Sequence, residues 1–114
     1  MNPLPLFVFG TLRQGAENHY YLAGRYARWL PATLHNFRRS VAAHGYPTIL
    51  PMPGEQVAGE LYFLLPDSQA ATLAECDLLE ELPPGQLAGD HYRRITVPVE
   101  TAEGSYQAWV YAGA

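Results

Sequence analysis

The sequence predicts an α+β fold, a small curled mixed sheet or barrel of about five to six strands with one main helix. Three observations carry this reading. Five segments have strand character, only one segment has the length and pattern of a helix, and strands do not alternate regularly with helices. A single helix cannot cover both faces of a parallel sheet, so the sheet has to curl on itself. The missing alternation also excludes doubly wound dinucleotide folds.

Taken in order, Leu6-Phe7-Val8-Phe9 is a short apolar run that stops at Gly10, the pattern of a buried strand delivering the chain into a tight loop. Gly15 closes that loop. Asn18 is placed to cap a short helix through Tyr20, Tyr21 and Leu22, with Gly24 at its end. From Arg28 to Val41 apolar and polar residues alternate loosely, as in a strand. Gly45 to Gly54 contains Pro47, Pro51 and Pro53 and is expected to be loop or irregular edge. Val57 to Leu65 is the clearest strand, bounded by Gly54 and Pro66.

The helix is expected over Asp67 to Leu82, capped by Asp67 or Ser68, with Ala70, Leu73, Ala74, Cys76 and Leu78 as its apolar stripe. Pro83-Pro84-Gly85 stops it and opens a loop reaching Asp90. Tyr92 to Glu100 alternates strongly, Gly104 makes a turn, and Tyr106 to Ala112 returns as the last strand. That pair reads as an antiparallel hairpin.

At 114 residues, residues 1–114 are expected to form one domain with one core. Nearly half of the residues are apolar, 48%, a globular composition. The longest apolar run, Leu61 to Leu65, falls far short of the roughly 20 residues of a membrane helix. The start, Met1-Asn2-Pro3-Leu4-Pro5, has no basic region of the kind that opens a signal peptide, so the expected compartment is the cytoplasm. All seven basic residues are Arg, which excludes Schiff-base and phosphate-loop lysines. The net charge of −4, without a basic stripe, argues against nucleic acid. Cys76 is the single cysteine; set among Leu73, Leu78 and Leu79, it reads as a small buried apolar residue. His19, His35, His44 and His91 are scattered, so no metal site is expected.

Two segments can carry chemistry. A strand ending in Gly, as at Phe9-Gly10-Thr11-Leu12, leaves successive N–H groups outside any ladder, where they can bind an anion or oxyanion with the Thr11 hydroxyl as an added donor. An ordinary strand-to-loop turn would use the same residues. The other segment is the acidic helix end, Glu75, Asp77, Glu80 and Glu81. Carboxylates there oppose the helix dipole, and one that is partly desolvated becomes a better base. A solvated acidic face is the alternative.

Leu6-Phe-Val-Phe-Gly-Thr-Leu-Arg-Gln-Gly15, followed by Asn18-His19, resembles the N-terminal signature of the gamma-glutamylcyclotransferase-like superfamily. The resemblance continues through Gly45-Tyr46-Pro47, Val57-Ala-Gly-Glu-Leu-Tyr62, Leu73-Ala-Glu-Cys-Asp77-Leu-Leu-Glu80, Tyr92-Arg-Arg94 and Trp109-Val-Tyr111, in the family's order over nearly the whole chain.

It implies that Glu80 is the catalytic glutamate and that Gly10-Thr11-Leu12 is the loop whose backbone holds a gamma-glutamyl group. Tyr92, Arg94 and Tyr111 are expected as pocket walls with Phe9, although Arg94 can equally serve by pairing with an acidic side chain. Phe9 stands where the family often has Tyr, and Glu81 where Gly is usual. The loop from Pro83 to Asp90 is at the longer end of the family's range and is expected to govern substrate choice. The implied reaction closes a gamma-glutamyl group on its own amine to give 5-oxoproline and a free amine. It needs no cofactor, because nucleophile and electrophile share one molecule. The rival readings are a module that binds the same small molecule without turning it over, and a hydrolase that would yield glutamate.

Overall fold

The computed structural model describes residues 3–41 and 45–113; His44 and the first two residues of the N-terminal reading lie outside them. Five strands form a closed barrel in the order β1-β3-β2-β4-β5: β1 Leu6–Val8, β2 Tyr26–Val41, β3 Pro47–Leu64, β4 Tyr92–Thr101 and β5 Gly104–Gly113. The single α-helix among the described residues, α1, spans Gln69–Leu79. This is the α+β barrel that the pattern of elements predicts. No helix of the described residues is long and apolar enough to cross a membrane.

β1 is short because it serves two neighbours at once. It runs antiparallel to β3 (Leu6 opposite Tyr62, Val8 opposite Glu60) and parallel to β5, where Leu6 faces Trp109 and the Trp109 amide donates to the Pro5 carbonyl at 2.9 Å. This single parallel contact makes the sheet mixed and closes it. Alternation along β1 then feeds two cores. Phe7 and Phe9 point into the barrel with Ala32, Leu34, Leu61, Val97 and Val110. Leu6 and Val8 point outward, into a second cluster with Tyr62, Leu73, Cys76, Tyr92 and Tyr111. Each large side chain buried in either core contributes roughly 1.5–3 kcal/mol.

The close approach of β1 to β3 depends on Gly59. A Cβ there would lie 2.4 Å from the Val8 carbonyl oxygen and 2.6 Å from the Phe7 ring.

Three expectations are corrected. Of the two readings of the proline-rich segment after Gly45, loop is excluded and irregular edge holds: β3 begins at Pro47 and pairs with β2 from Val41↔Pro47 to Phe37↔Pro51 before the register shifts past Asn36, while β1 joins β3 only at Glu60–Tyr62. The Pro47 carbonyl accepts a hydrogen bond from the Tyr92 hydroxyl, so its polar edge faces away from β2, where a missing N–H costs no ladder bond. Pro51 has the same parity. At the register shift Asn36 takes a left-handed conformation (φ 65°), and its Oδ1 accepts from the Gly54 amide. The segment at Asn18 is a single 3-10 turn, His19–Tyr21, and the Asn18 side chain makes no cap.

The helix is also shorter than expected at both ends, and the Ser68 side chain makes no cap hydrogen bond. Its buried face is Gln69, Thr72, Leu73 and Cys76, whereas Ala70, Ala74 and Leu78 are exposed. The face is set by what the barrel's outer surface offers, which tolerates Gln69 because its Nε2 donates to the Leu4 carbonyl.

Gly59→Ala should lower stability by about 3 kcal/mol, because both colliding groups are buried and one is backbone. Urea unfolding reads this directly; an unchanged midpoint would mean that β1 does not close on β3 as described.

Candidate active site

β1 ends at Val8, Phe9 turns inward, and at Gly10 the chain leaves the sheet. The carbonyls of the next residues are all occupied. Gly10 accepts from the Arg13 amide and from Arg13 Nε (3.2 and 3.1 Å), Thr11 from the Asn18 amide (2.9 Å), and Leu12 from His19 Nδ1 (2.9 Å). A carbonyl can only accept, so His19 carries its proton on Nδ1. Asn18 Nδ2 donates to Thr11 Oγ1 at 3.0 Å, leaving the Thr11 O–H able to donate elsewhere. Among the described residues the N–H groups of Gly10, Thr11 and Leu12 make no hydrogen bond. Three successive amides held by engaged carbonyls form a fixed donor set.

Glu80 is the C-cap of α1. The helix ends in a Schellman arrangement: the Glu81 amide donates to Leu78 and the Leu82 amide to Asp77, at 3.0 and 2.9 Å. Glu81 therefore occupies the left-handed position (φ 61°) where Gly is the low-cost residue, and it makes the same turn under strain of about 1 kcal/mol. Leu82 tucks into the outer core behind it. The following loop presses onto this turn: a Cβ at Gly89 would lie 2.6 Å from the Glu81 carbonyl oxygen.

These two features meet in one cavity of about 370 Å³, lined by Phe9, Gly10, Thr11 and Leu12 on one side and by Leu79, Glu80, Glu81, Tyr92 and Tyr111 on the other. The Glu80 carboxylate makes no hydrogen bond or ion pair among the described residues. Burial, and secondarily the neighbouring Glu81 charge, push its pKa up to about 7. Tyr92 is pushed up to about 12 by burial first and then by Glu80 and Glu81.

Of the residues singled out from sequence, Phe9, Gly10, Thr11, Leu12, Glu80, Tyr92 and Tyr111 share this cavity. The Tyr111 hydroxyl is committed to Asp77 Oδ1 at 2.6 Å, so the cavity receives its ring. Arg94 is not a cavity wall. It grips Asp77 with Nε and Nη2 (2.8 and 3.0 Å) and stacks over Trp109 at 4.3 Å, which is the alternative pairing role. Sequence reasoning missed Glu17 and Asn18, and it did not assign a role to Tyr46 or Pro47, all of which line the cavity. Gly45-Tyr46-Pro47 was visible as a motif, and Asn18 as a polar residue beside a turn; Glu17 gave no signal. No group of His, Cys, Asp and Glu suited to a metal ion is present among the described residues.

The model of the family described as gamma-glutamyl cyclotransferase, AIG2-like, matches residues 6–114. The chain belongs to that family. It is 34% identical over 113 residues to the gamma-L-glutamyl-butirosin B gamma-glutamyl cyclotransferase of Niallia circulans, a match covering 93% of this chain and 64% of that protein. The chain thus spans a little under two thirds of that relative's length. Its fold is shared by an AIG2-like protein from Mus musculus (26% identity, TM-score 0.74, 100% of this chain and 79% of that one). YkqA from Bacillus subtilis is likewise similar (27% identity, TM-score 0.72, 99% of this chain, 36% of that one).

A glutamate with a raised pKa destabilises the fold wherever it is ionised. The folded protein holds the proton up to about pH 7 and the unfolded chain only to about 4.5, so stability is lost as pH rises between these values and stays lost above them. Glu80→Gln should therefore be more stable than the parent near pH 8, on the order of 2 kcal/mol, with the advantage gone near pH 4. Denaturant titrations at the two pH values test this; an equal advantage at both would locate the cause in packing rather than charge.

Proposed function

We propose that the protein is a gamma-glutamylcyclotransferase, converting a gamma-glutamyl amine or amino acid into 5-oxoproline and the free amine, with Glu80 as general acid and base. The observation that carries this reading is the pairing of Glu80, poised near neutrality, with three unengaged amides across one cavity. The family membership supports the reaction class. The butirosin relative, by its name, acts on gamma-L-glutamyl-butirosin B, a gamma-glutamyl compound.

The substrate's alpha-ammonium gives a proton to the Glu80 carboxylate, and the resulting amine attacks its own side-chain carbonyl carbon. A C–N bond forms within a five-membered ring while the carbonyl oxygen becomes an oxyanion. The oxyanion then collapses and the bond to the leaving nitrogen breaks as that nitrogen takes the proton held by Glu80; the carboxylate so regenerated takes the second proton of the ring nitrogen and passes it to the departing amine, which leaves as an ammonium. No water enters the bond balance. Ring closure within one molecule removes the entropic cost of bringing reactants together, leaving proton transfer and charge stabilisation to the protein. The amides of Gly10, Thr11 and Leu12 are suited to an anionic oxygen, either the substrate carboxylate or the oxyanion. A base near pKa 7 is half-ionised at neutral pH and strong enough to accept the proton, which an ordinary glutamate is not.

Mass spectrometry of a panel of gamma-glutamyl amino acids and amines, incubated with the parent and with Glu80→Gln, tests the reading. The parent should form 5-oxoproline, and the variant should be slower by about 10²- to 10⁴-fold. Below about pH 7 the parent's kcat/KM should fall close to tenfold per pH unit. Glutamate in place of 5-oxoproline would identify a hydrolase. Binding without turnover would identify a non-catalytic module.

A further inference from the structure

The Asp77 carboxylate accepts three side-chain hydrogen bonds, as many as the exposed Glu103, and does so in a half-buried setting. Its Oδ1 accepts from Arg94 Nε at 2.8 Å and from the Tyr111 hydroxyl at 2.6 Å, and its Oδ2 accepts from Arg94 Nη2 at 3.0 Å. Its backbone carbonyl accepts the Leu82 amide that completes the turn after Glu80. The pair is nearly dry, with side-chain exposures of 11% for Arg94 and 16% for Asp77. The Arg94 guanidinium is held from behind by the Trp109 ring.

We infer that Asp77 is a positioning residue of the site: through Arg94 on β4 and Tyr111 on β5 it locks the last turn of α1 to the barrel and so fixes where the Glu80 carboxylate points. The inference rests on the reading of Glu80 as the base.

Helix geometry supports it. Asp77 and Glu80 are three residues apart, neighbours on one helix surface, so anchoring one restricts rotation of the other. Among the described residues the Glu80 carboxylate has no partner to orient it, and its direction comes from the backbone beneath it. Buried ion pairs are also a poor route to stability, since well-packed apolar groups of similar size often do as well, so a geometric role is the better account of this one. The same helix carries a contrasting pair, Arg25–Glu75, whose side chains are 36% and 47% exposed and which has no link to the turn.

The test compares Asp77→Asn, Arg94→Lys and the control Glu75→Gln by steady-state kinetics and by carboxyl-carbon NMR titration of Glu80. The groups facing Glu80 are Glu81 on the turn, Cys76 on the helix, Tyr92 and Tyr111 from the strands, and Glu17 and Tyr46 around the cavity; all remain in these variants. Asp77→Asn keeps the shape but leaves the Arg94 charge uncompensated and the turn loosened. Its kcat should fall at least about tenfold with KM within about twofold, because misplacement costs the transition state and not binding. The Glu80 midpoint should move down toward the ordinary carboxylate range, since both escape to solvent and an unpaired guanidinium favour the ionised form. Arg94→Lys keeps the charge and loses the planar two-point grip, and should shift both readouts in the same directions by less. Glu75→Gln should change neither.

A merely structural Asp77 would lower the thermal midpoint and leave kcat per folded molecule unchanged in both variants, and would leave the Glu80 titration unchanged in Arg94→Lys, where no charge is left unpaired; that result overturns the inference. If Asp77→Asn does not fold, Arg94→Lys decides by the same criterion. If the parent shows no cyclising turnover, the functional reading fails, and the Glu80 midpoint in Arg94→Lys still decides whether Asp77 sets the position of Glu80.

Discussion

The barrel exists because a three-residue strand fits between two others. Leu6–Val8 is hydrogen-bonded on one edge to β3 and meets β5 on the other, and without it the sheet would present two open edges. So short a segment has little ladder energy of its own. It is held by burial: every one of its side chains lies within a core, alternately inside and outside the barrel. That double burial makes the position of Gly10 rigid, because the residue two before it, Val8, can neither slide nor rotate without exposing Phe7 or Leu6. The amides of the next loop inherit this precision from packing, with no secondary structure of their own to supply it.

The opposite wall follows a different logic. Where the first wall is held by its engaged carbonyls and buried side chains, the helix end accumulates unfavourable features: a non-glycine residue in the left-handed region, two adjacent carboxylates at the negative end of a dipole, and one of these partly buried without a counter-ion among the described residues. Each is unfavourable in isolation. They persist because the Schellman hydrogen bonds, the Leu82 anchor and the Asp77 grip determine the backbone independently of them. A half-buried carboxylate held in this way needs a rigid surround, and the barrel supplies it.

Much of this was legible before any coordinates. Strand alternation, the stop at Gly10 and the acidic helix end were visible as local patterns with local causes, but each had an ordinary reading as a turn or a solvated face, and it was the family resemblance that singled them out together. What escaped was decided by tertiary contact. Pro47 and Pro51 look like strand breakers, and only the orientation of the Pro47 carbonyl toward Tyr92 shows why they are tolerated. The buried face of α1 includes Gln69 and Thr72 and leaves Leu78 out, a choice made by the barrel surface. Arg94 had two readings of equal standing, and its partner, seventeen residues earlier in the chain, was the information that sequence lacked. Glu17 illustrates the limit: an exposed glutamate on a loop carries no mark of the cavity it borders.

The contact between Gly89 and the Glu81 carbonyl divides the loop that follows the helix into two parts with different freedoms. At its far end the chain is pinned to the turn that carries Glu80, and the Gly89 amide is tied to the Tyr92 carbonyl. Between Pro83 and Leu87 the side chains are exposed and meet no such restriction. Divergence among relatives, or redesign in the laboratory, can therefore rewrite the outer half of this loop while the inner half keeps the turn carrying Glu80 in place. The molecule separates the part of the loop that can vary freely from the part that holds the helix end.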